Sequence, residues 1–221
     1  MKRHTFFSDV VQKSKLYYGL VKAQVTKRHA PVVVNLFITG RCNSNCKYCY
    51  VDITKDPVRA FCFEEWKKLI DDLYRRGTRL FGLLGGEPFL HPYADRLVDY
   101  IMSKNVFLNL TTNGFLMHEH LESAQKATEV SMSLDGDEES NDLNRGKANF
   151  ARSVEGIDLA VKNWAKVRLC AVMTRHNIGQ LDFLLEFCRA RNIFISFSPL
   201  ISPAVSRKDA AQELWLSDDM I

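Results

Sequence analysis

From Pro31 to about residue 200 the chain alternates short apolar runs with longer stretches of helical periodicity, and that alternation limits the fold more than any other feature. Val32–Val34, Phe81–Leu84 and Ile193–Phe197 are short, mostly apolar runs, the pattern of strands buried in a parallel sheet. Strands are expected near 32–38, 79–84, 106–111, 128–134, 167–173 and 193–198. Helices are expected near 63–76, 93–104, 116–126, 148–164 and 178–191, the last with Asn177 as its N-cap. Repeated βα units imply a parallel sheet with right-handed crossovers. Six strands are too few for a full eight-stranded barrel. The expected class is therefore α/β, a partial (β/α)6 TIM-like barrel with outer helices. An open doubly wound sheet has the same periodicity and stays possible at this point. In either architecture the chemistry lies beyond the C-terminal ends of the strands.

Before the alternation, residues 8–27 read as an amphipathic helix, with Phe7, Val10, Val11, Tyr17, Tyr18, Val21 and Val25 at helical spacing. The simplest expectation is that this apolar face packs on the main domain. Residues 1–30 hold seven Lys/Arg against Asp9, a net +6, which leaves −2 on the rest of a chain whose total is +4. The charge argues against a nucleic-acid footprint on the domain, and allows a weak contact of residues 8–27 with a membrane surface. No apolar run reaches the length of a membrane span, and no secretory signal pattern is visible, so a cytoplasmic location is expected. The expected organisation is a basic N-terminal helix (1–30), a core domain (31–200), and a tail (201–221) leading into a C-terminal extension. Arg207 and Lys208 read as solvated tail.

Three of the six cysteines fall within eight residues, in Gly40-Arg41-Cys42-Asn43-Ser44-Asn45-Cys46-Lys47-Tyr48-Cys49. Clustered thiols outside a disulfide framework point to metal. Iron–sulfur clusters normally take four thiolates. Three from one loop would leave an iron open to a chelating small molecule. Zinc is the competing reading, with Cys62 as a fourth ligand. Between Phe61 and Phe63, though, Cys62 reads more simply as a buried core thiol. Cys170 and Cys188 read as small hydrophobes in a strand and a helix.

Further unusual loops follow later strands. Gly85-Gly86-Glu87-Pro88 combines two glycines that permit close backbone approach with an anionic acceptor for an ammonium group. Thr111-Thr112-Asn113-Gly114 ends the third strand, and Ser131-Met132-Ser133-Leu134-Asp135-Gly136 the fourth. His91 shapes the start of the following helix. His118 and His120 read as a solvated pair in a polar loop.

C-x3-C-x-aromatic-C, with Tyr48 as the aromatic residue, resembles the signature loop of the radical S-adenosylmethionine (radical SAM) superfamily, in the branch of peptide maturases and molybdenum-cofactor and haem-modifying enzymes. GGEP at 85–88, TNG at 112–114 and SLDG at 133–136 resemble that family's supporting motifs. The resemblance implies that Cys42, Cys46 and Cys49 hold a [4Fe–4S] cluster whose open iron chelates S-adenosylmethionine. Reductive cleavage of that cofactor would give a 5′-deoxyadenosyl radical that takes hydrogen from a peptide or a small cofactor or metabolite precursor. It further implies cofactor contacts from Tyr48 (adenine), Gly85, Gly86, Glu87, Pro88, Asn113, Ser133 (ribose or carboxylate), Asp135, which could instead organise its turn, and Arg145 (carboxylate). An oxidoreductase of this kind needs an external electron donor such as flavodoxin or ferredoxin. Asn141 stands where relatives carry a His before Arg-Gly. A metal-binding scaffold without turnover is the other class compatible with these loops.

Overall fold

The computed structural model describes residues 6–26, 31–49, 61–163, 165–200 and 214–216. After helix α1 (Phe6–Thr26) come six strands: β1 (Val33–Phe37), β2 (Leu80–Leu84), β3 (Phe107–Thr112), β4 (Glu129–Ser133), β5 (Val167–Met173) and β6 (Phe194–Pro199). Helices α2 (Phe63–Arg76), α3 (Ala94–Ser103), α4 (Met117–Lys126), α5 (Glu138–Arg145), α6 (Asn149–Lys162) and α7 (Leu181–Arg191) run between them.

The strands form one sheet in the order β1-β2-β3-β4-β5-β6, every pair parallel. A doubly wound sheet reverses its strand order at a switch point. Here each crossover steps the same way, which is barrel winding, and the sheet is an open six-stranded partial barrel.

Strand alternation separates two faces. Phe81, Leu83, Leu108, Leu110, Val130, Met132, Leu169 and Ala171 are buried in the core shared with the helices. Helix α2 adds Trp66 and Ile70 from its apolar stripe, and its Glu64/Glu65 start and Arg75/Arg76 end complement the helix dipole. The alternate positions form a polar inner face. On it Ser131 Oγ donates to Asn109 Oδ1 (2.9 Å), and Arg168 binds both oxygens of Glu129 (2.8 Å each).

Two elements escape the periodicity reading. Helix α5 (EESNDLNR) has no apolar stripe to detect, but Asp137 caps it by accepting the Ser140 N–H at 2.9 Å. A 3₁₀ turn at Pro88–Leu90 follows β2. Asn177 does not cap α7. Its side chain instead donates to the carbonyls of Asp135 (2.6 Å) and Val172 (2.8 Å) and accepts the Thr174 N–H. The expected packing of α1 is reversed: Val10, Tyr17, Tyr18, Val21 and Val25 are all exposed. Leu214 and Leu216 are buried, and Arg175 N–H donates to the Leu214 carbonyl (2.9 Å). Arg207 and Lys208 lie outside the described residues. No helix among the described residues is long and apolar enough to cross a membrane.

Candidate metal and cofactor site

The cysteine loop leaves the C-terminal end of β1 and runs beside the loop that follows β2. Gly86 N–H donates to the Thr39 carbonyl and Glu87 N–H to the Arg41 carbonyl, both at 2.8 Å. The two glycines are explained by this approach. A Cβ on Gly86 would lie 2.6 Å from the Arg41 carbonyl carbon, and one on Gly85 would lie 3.1 Å from the Thr39 nitrogen. The close neighbour is thus the backbone of the cysteine loop itself. Gly86→Ala is expected to push that loop outward and to lower iron content on reconstitution at least about tenfold, the range seen when groups supporting a metal site are lost. The helical circular dichroism should stay unchanged. Full iron loading in Gly86→Ala would show that the loop tolerates the added methyl group.

All three thiols of the loop are half-buried. Ser44 sits between two of them, with its N–H on Cys42 Sγ and its hydroxyl against Cys46 Sγ, each at 3.4 Å. Burial pushes the Cys42 thiol up to about 11, helped by repulsion from Cys46, Glu87 and Cys49, while the Ser44 N–H pulls it down. Thiolates gathered here repel one another, and a cationic metal centre relieves that repulsion. The donor set therefore fits an iron–sulfur cluster. Cys62 is exposed at the start of α2, contrary to the buried position expected for it, and its amide donates to Glu65 Oε2 (2.9 Å). Among the described residues no three His, Cys, Asp or Glu side chains, the loop thiols included, converge on one ion position.

Glu87 joins the loops after β2 and β3. Its carboxylate is fully buried. Oε1 accepts from Phe89 N–H (3.2 Å) and Thr112 Oγ1 (2.9 Å), and Oε2 accepts from Asn113 N–H (2.9 Å). Burial raises its proton affinity, and these three donors oppose the rise. Asn113 then reaches the cysteine loop, donating from Nδ2 to Asn43 Oδ1 at 2.7 Å. Gly114 turns the chain with φ +88°, a left-handed conformation suited to glycine. Pro88 opens the 3₁₀ turn and is buried. His120 backs this turn. It lies within α4, not in a loop, stacked on Phe89 (4.3 Å between centroids, 9° between planes) with Nδ1 2.9 Å from Asp95. His118 is the solvated one of the pair. His91 does shape its turn: its Nδ1 accepts the Tyr93 N–H at 3.2 Å, just before α3.

On the other flank Asp135, at the end of β4 and fully buried, gathers three partners. Arg145 pairs with it, donating from Nη2 to Oδ1 at 2.9 Å, while its Nε lies 2.9 Å from Oδ2 without the geometry of a hydrogen bond. Tyr48 donates its hydroxyl to Oδ2 at 2.6 Å, and Val172 N–H donates to Oδ1 at 2.9 Å. Burial alone would lower the proton affinity of Arg145, but the Asp135 carboxylate reverses this and holds the guanidinium charged. Burial raises the Tyr48 phenol well above its usual range. The polar ends of Tyr48 and Arg145 are thus engaged with Asp135, which organises the turn after β4. Ser133 differs: it is half-buried at the end of β4, and its hydroxyl makes no hydrogen bond among the described residues.

Contacts made by α5 and the start of α6 complete the site. Lys47 N–H donates to the Asn144 carbonyl (2.9 Å), Ser44 Oγ to the Arg145 carbonyl (3.3 Å), and Asn149 Nδ2 to Ser44 Oγ (2.8 Å). Asn141 Oδ1 accepts the Asp135 N–H at 3.0 Å, and Asn141 Nδ2 lies 3.3 Å from Asn149 Oδ1. Asn141 is therefore a buried structural amide. Cys188 is buried as expected, whereas Cys170 is half-buried on the inner face, 3.2 Å from Ser196 Oγ.

Fold and rim together define an open α/β barrel protein with a three-thiol loop at the C-terminal ends of its strands. The family model described as "Radical SAM superfamily" matches residues 36–188, and the chain belongs to that family. Members use a [4Fe–4S] cluster and S-adenosylmethionine. Among curated relatives, the mycofactocin maturase MftC of Mycobacterium ulcerans is 32% identical over 158 residues, covering 69% of this chain and 43% of the relative. The Fe-coproporphyrin III synthase of Methanosarcina barkeri is 31% identical over 204 residues, covering 88% and 50%. The chain thus spans half or less of these relatives' length. Streptococcus suis SuiB, solved with S-adenosylmethionine, superimposes with a TM-score of 0.73 at 20% identity, covering 87% of this chain and 46% of SuiB. Likeness at that identity shows the shared fold.

Proposed function

We propose that the chain is the core of a radical SAM enzyme acting on a peptide or on a small cofactor or metabolite precursor. The observation that carries this reading is the half-buried thiol loop Cys42–Cys49, hydrogen-bonded on one flank to Asn113 and on the other to Asp135 and α5. Cys42, Cys46 and Cys49 would hold the cluster. When bound, the cluster supplies one electron for cleavage of S-adenosylmethionine, the step that opens hydrogen abstraction from substrate.

The chain's own residues bind and orient. Glu87 fixes the Asn113 backbone and offers its remaining lone pairs to the methionyl ammonium. Gly85, Gly86 and Pro88 set the position of that carboxylate. Ser133 offers its hydroxyl to the ribose or carboxylate. Tyr48 is held by Asp135, so its ring takes one orientation toward the adenine. Arg145 is held in place by Asp135, and its positive field favours an anionic carboxylate nearby. The substrate would lie at the barrel mouth, against the rim end of the polar inner face that carries Ser133 and Cys170. SuiB has also been solved bound to its precursor peptide SuiA, and the curated relatives named above are a maturase and a porphyrin synthase, which supports both substrate classes. Residues 31–200 would form the core domain, 1–30 a basic helical prelude, and 201–221 a lead into further chain. A flavodoxin or ferredoxin would supply electrons in the cytoplasm.

Anaerobic reconstitution, iron and sulfide counting, and electron paramagnetic resonance with and without S-adenosylmethionine test the reading. The expected result is about four irons, a reduced-cluster signal that shifts on adding S-adenosylmethionine, and cofactor cleavage under dithionite. A signal indifferent to the cofactor, with no cleavage, would leave a metal-binding scaffold in its place.

A further inference from the structure

Helix α1 packs inside out. With a 100° step per residue, Gln12, Leu16, Gly19 and Ala23 fall on one side and Val10, Ser14, Tyr17, Tyr18, Val21 and Val25 on the other. The first side faces the domain. Gln12 is 2% exposed and accepts the Thr128 hydroxyl at 2.8 Å, and Gly19 lies against Arg79 and Val32. The second side faces outward: Val10 is 48% exposed, Tyr17 66%, Tyr18 67%, Val21 61% and Val25 75%. The one hydroxyl of a serine within the apolar stripe, on Ser14, is satisfied by the Val11 carbonyl (2.9 Å). Lys13 borders the stripe on one side, and Lys15 and Lys22 on the other.

We infer that this stripe is a docking surface for an anionic lipid bilayer, with the valines and tyrosine rings in the interface and the bordering lysines among the headgroups. Charge selects this occupant. Residues 1–30 carry +6 with Asp9 as the single acid, so pairing with a second copy of α1 would set lysine against lysine without acidic partners. An anionic surface meets the same lysines favourably, and tyrosine suits the headgroup level, where its ring is apolar and its hydroxyl wet. The placement of α1 adds a consequence. Thr128, Arg79 and Val32 directly precede β4, β2 and β1, so α1 sits at the N-terminal ends of the strands, opposite the cysteine loop. A chain held to a bilayer by α1 keeps its rim away from the helix that anchors it, accessible to substrate and electron donor from the aqueous side.

Vesicle flotation of the cluster-loaded full chain tests the inference, and because lipid binding is read without turnover, its failure leaves the proposed chemistry untouched. Vesicles of phosphatidylcholine with phosphatidylglycerol should carry the protein, and pure phosphatidylcholine should not. Lys13→Gln with Lys22→Gln should lower partitioning about 30-fold, from the usual contribution of a basic residue near such a surface. Tyr17→Gln with Val21→Gln and Val25→Gln should abolish it while melting temperature and iron content stay unchanged, since those side chains are exposed. Absent binding to the anionic vesicles, or equal binding by the variants, overturns the inference. So does a concentration-dependent dimer in sedimentation that the triple substitution abolishes, which would assign the stripe to a second copy.

Discussion

Cys46→Ala protein, reconstituted anaerobically, is expected to emerge from desalting nearly colourless, with S-adenosylmethionine cleavage down by more than about 100-fold. Loss of a partner that merely supports a metal ligand costs about 10–100-fold, and a ligand itself contributes more. The other three cysteines are poorly placed to substitute: Cys62 is exposed at the head of α2, Cys188 is buried in the core, and Cys170 lies on the inner face beside Ser196. Cys42→Ala and Cys49→Ala should behave alike. Cys62→Ala is the informative control, because a zinc site using that thiol would lose its metal, whereas the three-thiol cluster keeps its iron. Full cofactor cleavage by any single variant within the triad would refute the ligand assignment.

Arg145→Met should destabilise the whole domain by about 3–5 kcal/mol, the usual cost of removing one partner from a buried ion pair. The cause is the carboxylate left behind. Asp135 is fully buried and would keep only the Tyr48 hydroxyl and the Val172 N–H. At roughly 2–4 °C per kcal/mol for a chain of this size, the midpoint should fall by on the order of 10 °C. Adding Asp135→Asn removes the stranded charge and should recover part of the loss, a coupling that thermal melts of the single and double variants would measure. Iron content should fall in Arg145→Met as well, because the Arg145 and Asn144 carbonyls receive Ser44 and Lys47 from the cysteine loop. A midpoint within about 2 °C of the parent would show that the pair contributes little.

The barrel was legible because its signal is periodic. Apolar runs such as Phe81–Leu84 and the stripe of α2 at Trp66 and Ile70 report burial directly, and the strand bounds fall within a residue or two of expectation. The order of the strands was not legible, since both windings share one periodicity. The motif loops were visible as residue types, but their partners were not. Nothing in the local sequence around Arg145 marks Asp135, ten residues earlier, as its ion-pair partner. Asn141, Asn144, Asn149 and Asn177 are ordinary asparagines until the fold buries them around the loop. The periodicity of α1 was equally clear, yet a stripe states only that two faces differ. Which one turns inward was decided by Gln12 finding Thr128.

The hydrogen bonds that hold the cysteine loop also set an order of events during synthesis. Ser44 depends on Asn149, 105 residues further along, and Tyr48 depends on Asp135, 87 residues further along. A ribosome adding about 5–20 residues per second delivers those partners roughly 5–20 s after the thiols have been made. Through that interval the cysteines are present without their clamp. Iron delivered to the nascent chain would meet loose thiols, so maturation with metal belongs after α5 and α6 have closed over the loop.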